Sequence, residues 1–165
     1  MKNIIILFII LFTTIEAKRR VKDIMKELEE EEMEELQQQG GIIELSSQTF
    51  RKLIMEKEFT FIFFYDPTCK HCKQVVPKFQ QLGKLVEMNK PNYRVARLDC
   101  DMYHSFCHKQ KFLNGYPSLI LFYDGYYFPE YKMSYSPIAM MDYIEYIMED
   151  VKNEGLNDYS TKVEL

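Results

Sequence analysis

Tryptophan is absent from the 165 residues, and glycine and proline number only six each. So little glycine and proline excludes collagen-like and low-complexity chains. Four cysteines are too few for a miniprotein stapled by disulfides, so the weight falls on their spacing. No Asn-x-Ser/Thr sequon and no internal repeat occurs. Neither sign of charge dominates: Lys+Arg 21 against Asp+Glu 25 leaves -4. That balance gives no general attraction to nucleic acid or to an anionic membrane. What is present is an ordinary globular composition, 47% apolar and 28% charged, in a chain long enough for one domain with extensions.

The longest apolar run, residues 4–12 (IIILFIILF), extends through Thr13 and Thr14 to Ile15. It falls short of the roughly 20 residues that cross a bilayer core. With Lys2 before it and the small Ala17 after it, residues 1–17 are expected to be a secretory signal peptide. No membrane span is expected after its removal. The last four residues, Lys162-Val163-Glu164-Leu165, resemble the Lys-Asp-Glu-Leu address that returns proteins to the endoplasmic reticulum, with Val163 in place of Asp. The two features agree on the lumen of the endoplasmic reticulum and imply a retrieval receptor.

Residues 18–40 form a charged extension ending in glycine. Strong helix formers fill residues 18–39, basic early (Lys18, Arg19, Arg20, Lys22) and acidic later. That order opposes the helix macrodipole, and Val21, Ile24 and Leu28 make only a partial apolar stripe. A solvated arm and a docking or dimerising segment both fit.

From residue 41 to 151 strands and helices alternate. Strands are predicted over residues 42–45, 59–65, 93–98 and 118–123. Residues 59–65 (FTFIFFY) read as a central strand covered on both faces. Helices are predicted after Ser46 or Ser47, over 70–88 with Pro77 inside, over 105–112, and from Pro137 through Met148. Asp124-Gly125 signals a hairpin into residues 126–128. The pattern predicts an α/β fold, a mixed central sheet flanked by helices. Residues 152–165 read as a flexible tail.

Cys69-Lys70-His71-Cys72 falls between the apolar strand and the next helix. At a helix start, unpaired N–H groups and the helix dipole favour a thiolate on Cys69. His71 adds a cation or a hydrogen-bond donor, and Lys70 and Lys73 add positive charge. Cys72, with two residues between it and Cys69 on the same turn, is placed to resolve a mixed disulfide formed at Cys69. Two other arrangements stay open at this point: an inert pair of core thiols, or a zinc site built from Cys69, Cys72, Cys100 and Cys107. The C-x6-C spacing of the second pair is poor for zinc.

Residues 64–73 (FYDPTCKHCK), Pro77, Leu98-Asp99-Cys100 through Cys107, Gly115-Tyr116-Pro117-Ser118-Leu119 and Asp124-Gly125 together resemble the thioredoxin superfamily. More narrowly, they resemble a single catalytic domain of the protein disulfide isomerase type. That resemblance implies the thioredoxin fold over residues 41–151. It implies a thiol–disulfide oxidoreductase or isomerase that acts on cysteine-containing secretory clients. No cofactor and no metal beyond its own sulfurs is implied, and a redox-recycling partner is. It further implies that Pro117 is cis and faces the dithiol, that the Tyr116 backbone pairs with extended substrate, and that Cys100 and Cys107 form a structural disulfide. His104 and His108 read as surface residues. Four positions depart from the family. Thr68 replaces Trp, Lys70 replaces Gly, Phe63 stands where a buried acid shuttles the resolving thiol's proton, and Tyr135 stands near the place of a mobile Arg. The last two departures, at Phe63 and Tyr135, predict slow proton removal from Cys72 and sluggish turnover, and they keep a second reading alive: a thioredoxin-fold chaperone or binding subunit with vestigial redox chemistry.

Overall fold

The computed structural model describes residues 16, 18–22, 24, 41–156 and 160–164. Two units divide the chain, Met1–Gln38 and Gln39–Leu165. In the first, the described residues of the charged extension are helical, with Val21 and Ile24 exposed. The proposed signal segment, apart from Glu16, and the acidic part of the extension lie outside the described residues. Among the described residues no helix is long and apolar enough to cross a membrane.

The second unit runs β1 (Ile42–Leu45), α1 (Ser47–Ile54), β2 (Phe59–Tyr65), α2 (Lys70–Asn89), β3 (Tyr93–Asp99), α3 (His104–Cys107), β4 (Ser118–Tyr123), β5 (Tyr126–Tyr127), α4 (Pro137–Glu154) and β6 (Thr161–Lys162). Its single mixed sheet has the order β1-β3-β2-β4-β5-β6. β1 and β2 lie parallel to β3, whereas β4 runs antiparallel to β2.

Period-two alternation along β2 splits the core. Phe59, Phe61 and Phe63 face one apolar layer with α2 and α4, where Val75, Phe79, Leu82, Met140 and Ile144 are buried. Ile62 and Phe64 face the other layer, with Phe50 of α1 at its centre. Phe50 is fully buried against the rings of Phe64, Phe106, Phe112 and Phe122, with centroids 5.2–6.2 Å away. The all-apolar sequence of β2 thus follows from having a layer on each face.

Local signals fix the joints. Ser46 caps α1 reciprocally with Thr49, and the Ser136 hydroxyl accepts the N–H of Ala139 at the start of α4. Asp124 and Gly125 both take positive φ, 49° and 80°, as a tight turn between right-twisted strands requires. Gly41 has φ 60°, and a Cβ there would sit 2.8 Å from the carbonyl oxygen of Gly83, so strand and helix approach only through glycine.

Two expectations are corrected. The helix predicted over residues 105–112 stops at Cys107. Beyond it the chain turns so that Phe112 enters the layer around Phe50, a placement that continuing the helix would forfeit. The tail predicted to be flexible instead extends the sheet. α4 continues to Glu154, and Thr161–Lys162 then pairs with β5. Val163 is 8% exposed, its N–H donating to Gly125 O at 2.8 Å, while Glu164 meets Lys111 at 2.5 Å. Lys162 and Glu164 point outward, so one inward valine and the backbone ladder hold the segment. Leu165, the last member of the proposed retrieval signal, lies outside the described residues.

Candidate active site

The parallel strand β2 delivers the chain to a four-residue turn, Asp66-Pro67-Thr68-Cys69, before α2 begins. Asp66 Oδ1 accepts the Thr68 N–H and the Thr68 hydroxyl, each at 2.7 Å, and the Asp66 carbonyl accepts the Cys69 N–H at 3.1 Å. Cys69 is therefore the N-cap residue of α2, with extended backbone (φ -66°, ψ 122°) and no side-chain cap bond. Its sulfur stands where a capping oxygen would stand, at the mouth of a helix with unspent donors.

The two sulfurs of the Cys69/Cys72 pair are free and differ sharply in setting. Cys69 is partly exposed; Cys72, one turn into α2, is fully buried. The Cys69 thiol is held below the ordinary cysteine range, first by the backbone N–H of Cys72. The Cys72 side chain and the His71 N–H add to this, while desolvation and the Asp66 charge oppose it. Burial pushes the Cys72 thiol up to about 11, and hydrogen bonding to the Cys69 sulfur adds to the rise. The inner sulfur thus holds its proton more firmly than the outer one, an arrangement that suits Cys69 to act as a nucleophile. His71 is exposed, and it acts on Cys69 through its main-chain N–H.

Across the site the Tyr116–Pro117 bond is cis, and Tyr116 O accepts from Cys69 Sγ at 3.7 Å. The same strand start is braced from below. The buried Ser118 hydroxyl lies 2.7 Å from Glu130 Oε1 and 2.9 Å from Gly115 O. Neither the Ser118–Glu130 bond nor the Asp66–Thr68 turn was anticipated from sequence. The Asp-Pro-Thr triplet carries a readable turn signal, but the partner of Ser118 is set by tertiary contact alone.

Phe63 is 1% exposed, in the same apolar layer as Cys72, with ring centroids 5.2 Å from Tyr65 and 5.1 Å from Phe79. Tyr135 packs, partly buried, against that layer. Among the described residues no carboxylate is buried in that layer beside Cys72. Cys100 and Cys107 are joined by a disulfide (S–S 2.05 Å) and buried, so they offer no thiolates to a metal. Among the described residues no group of three or more His, Cys, Asp or Glu side chains is placed to hold a metal ion. His104 and His108 are exposed and stacked on each other at 5.8 Å.

The family described as Thioredoxin matches residues 41–145, the span that carries every feature above. The chain belongs to the thioredoxin family. Its relatives are of the protein disulfide isomerase type. The thioredoxin domain is 30% identical over 104 residues to "Protein disulfide isomerase-like 2-1" of Oryza sativa subsp. japonica, covering 62% of this chain and 28% of that protein. It is 35% identical over 92 residues to "Protein disulfide-isomerase 5-1" of Arabidopsis thaliana, covering 55% of this chain and 62% of that one. The chain therefore spans less than a third of the rice relative. Among solved structures, the J-Trx1 fragment of ERdj5 superposes with a TM-score of 0.56 at 26% identity, over 68% of this chain and 52% of that one. Human ERp44 (form I) gives a TM-score of 0.58 at 25% identity, over 64% and 29%.

Proposed function

We propose that this thioredoxin domain is a thiol–disulfide oxidoreductase of the protein disulfide isomerase kind, acting on cysteine-containing secretory proteins in the lumen of the endoplasmic reticulum. One observation carries the reading: two free sulfurs one helical turn apart in unequal settings, Cys69 partly exposed at the N-cap of α2 and Cys72 fully buried. Cys69 thiolate attacks a client disulfide. A bond forms between Cys69 and one client sulfur, and the second client sulfur leaves as thiolate. Cys72 then loses its proton and attacks the Cys69 sulfur, closing the Cys69–Cys72 disulfide and releasing the first client sulfur. The dithiol has given up two electrons and the client has gained them. Run backwards, the same steps oxidise a client, and an incomplete second step allows isomerisation.

Tyr116 O and the neighbouring backbone at Pro117 provide the edge against which an extended client segment would pair. A redox partner must restore the starting state of the Cys69–Cys72 pair, and a retrieval receptor would have to draw Val163 off the sheet edge before reading Lys162 to Leu165. The direct test is trapping. Cys72→Ser should accumulate mixed disulfides with client cysteines, and Cys69→Ser should abolish them. Equilibrium of the pair with glutathione then assigns the duty. A potential of about -180 to -210 mV fits an isomerase, and about -270 mV fits a reductant.

A second reading draws on Phe63 filling the acid's place: a chaperone or binding subunit that holds clients at the Pro117 surface. Replacing both Cys69 and Cys72 by Ala separates the two. A chaperone keeps suppressing client aggregation, whereas an oxidoreductase loses its activity.

A further inference from the structure

Every route from the strand to the nucleophile passes through one residue. Asp66 holds the active-site turn through two groups. Its carboxylate takes both Thr68 donors at 2.7 Å, and its carbonyl takes the Cys69 N–H at 3.1 Å. Its backbone N–H also favours the ionised form of Cys72, against the larger effect of burial. Pro67, between the anchored residues, has a fixed φ and no N–H to compete. Because the N–H groups of Thr68 and Cys69 are spent on Asp66, the donors left for the Cys69 sulfur are those of His71 and Cys72, deeper in the first turn of α2.

Asp66 is also the carboxylate whose charge acts on both sulfurs among the described residues. Its Thr68 hydroxyl and N–H partners hold it below the usual carboxylate range, so it stays ionised wherever the thiols react. Lys73 faces it from α2, and Tyr116 faces it from the cis-proline loop. Lys70 and His71 are exposed at the same helix start. Lys73 offsets part of the negative charge without cancelling its effect on the sulfurs.

We propose that Asp66 is the positioning residue of the dithiol: its carboxylate ties the turn that delivers Cys69 to the mouth of α2, and its negative charge opposes a second negative charge on either sulfur. Thr68, which replaces the family's Trp, is the donor that makes this carboxylate a structural tie. The residue therefore sets two opposed quantities, the placement of the nucleophile and the ease of forming it. This rests on Cys69 being the attacking sulfur.

Asn and Ala at position 66 separate the two roles, because Asn keeps an oxygen for Thr68 and lacks the charge. The thiolate absorbance near 240 nm is followed against pH on the full chain, with the iodoacetamide rate at pH 6 and a thermal melt as a check of folding. D66N should move the Cys69 titration to lower pH and raise the pH 6 alkylation rate about threefold, the size of one nearby charge acting through a mostly aqueous path. D66A loses the turn as well, and should alkylate more slowly than D66N. T68V, which gives up one of the two bonds and keeps the charge, should alkylate no faster than the unmodified protein. A D66N titration that superimposes on that of the unmodified protein overturns the proposal, as does a D66A rate equal to that of D66N. Should D66A fail to fold, D66N no faster than T68V is the overturning result. Failure of the underlying reading looks different, because the unmodified protein itself would then titrate Cys69 like an ordinary thiol.

Discussion

The sulfur of Cys69 lies 3.7 Å from the carbonyl oxygen of Tyr116, the residue bonded in cis to Pro117. A protonated Cys69 spends its weak S–H donor on that carbonyl, and ionisation frees the oxygen. On the proposed function, a client N–H would then find this acceptor unoccupied when Cys69 is ionised.

The first prediction concerns pH. Iodoacetamide should modify Cys69 first, at a rate rising with pH through an inflection below the ordinary cysteine range, while Cys72 stays protected until about pH 11. Cys72→Ala removes the first-turn thiol partner and should shift the Cys69 inflection upward. The sign for stability is opposite for the inner thiol. Its folded pKa is raised, so its contribution is complete below the unfolded thiol value and is lost as pH climbs toward 11. Denaturant midpoints of the unmodified protein and Cys72→Ala should therefore draw together between about pH 8.5 and 11.

The second prediction concerns Phe63. A carboxylate introduced there would supply the base that Cys72 lacks, so Phe63→Glu should speed release of mixed disulfides, read as faster decay of a Cys69-linked client adduct. The same change puts a charge into a layer where Phe63 is 1% exposed and touches Tyr65 and Phe79. Loss of the ring alone costs about 3–5 kcal/mol. Phe63→Leu serves as the control: reduced stability with no gain in release rate. Equal release rates in the unmodified protein and Phe63→Glu would mean that the lack of an acid at position 63 does not limit release.

Stability, by contrast, should follow the other cysteines. The Cys100–Cys107 bond closes a short loop, with a sequence separation of 7, beneath the Phe50 layer. A loop of that length contributes about 2–3 kcal/mol by restricting the unfolded chain. The double Ala variant should lower the unfolding free energy by that amount in denaturant titrations, and leave the alkylation profile of Cys69 in place.

How far the fold could be foreseen depended on whether each signal was local. The apolar run of residues 59–65, the Asp124-Gly125 turn, the Ser136-Pro137 start and the thiol at a helix mouth are written in adjacent residues, and each falls where the sequence reading places it. The helix ending early at Cys107 was not legible. Its end is decided by Phe112 finding four aromatic neighbours from elsewhere in the chain. In the sequence Thr68 stands only as a replacement of the family's Trp, because its bond to Asp66 appears only once the turn is folded.

The last strand shows the same limit and yields the fourth prediction. Residues 161–164 are short, mostly polar and read as tail, yet the exposed edge of β5 offers unpaired backbone groups that any nearby extended segment can take. What then holds the segment is Val163, buried in the layer with Phe112 and Phe122, and not the Lys111–Glu164 pair, whose side chains are 81% and 77% exposed. An exposed pair of this kind is screened by salt and gains little over hydration. Val163→Ala should therefore raise the hydrogen-exchange rate of the Val163 amide, which bonds Gly125 O, by roughly tenfold, the equivalent of about 1–2 kcal/mol of lost burial. Lys111→Ala should change that rate little, and not at all at high salt. The opposite ranking would mean that charge, not the buried valine, seats this strand.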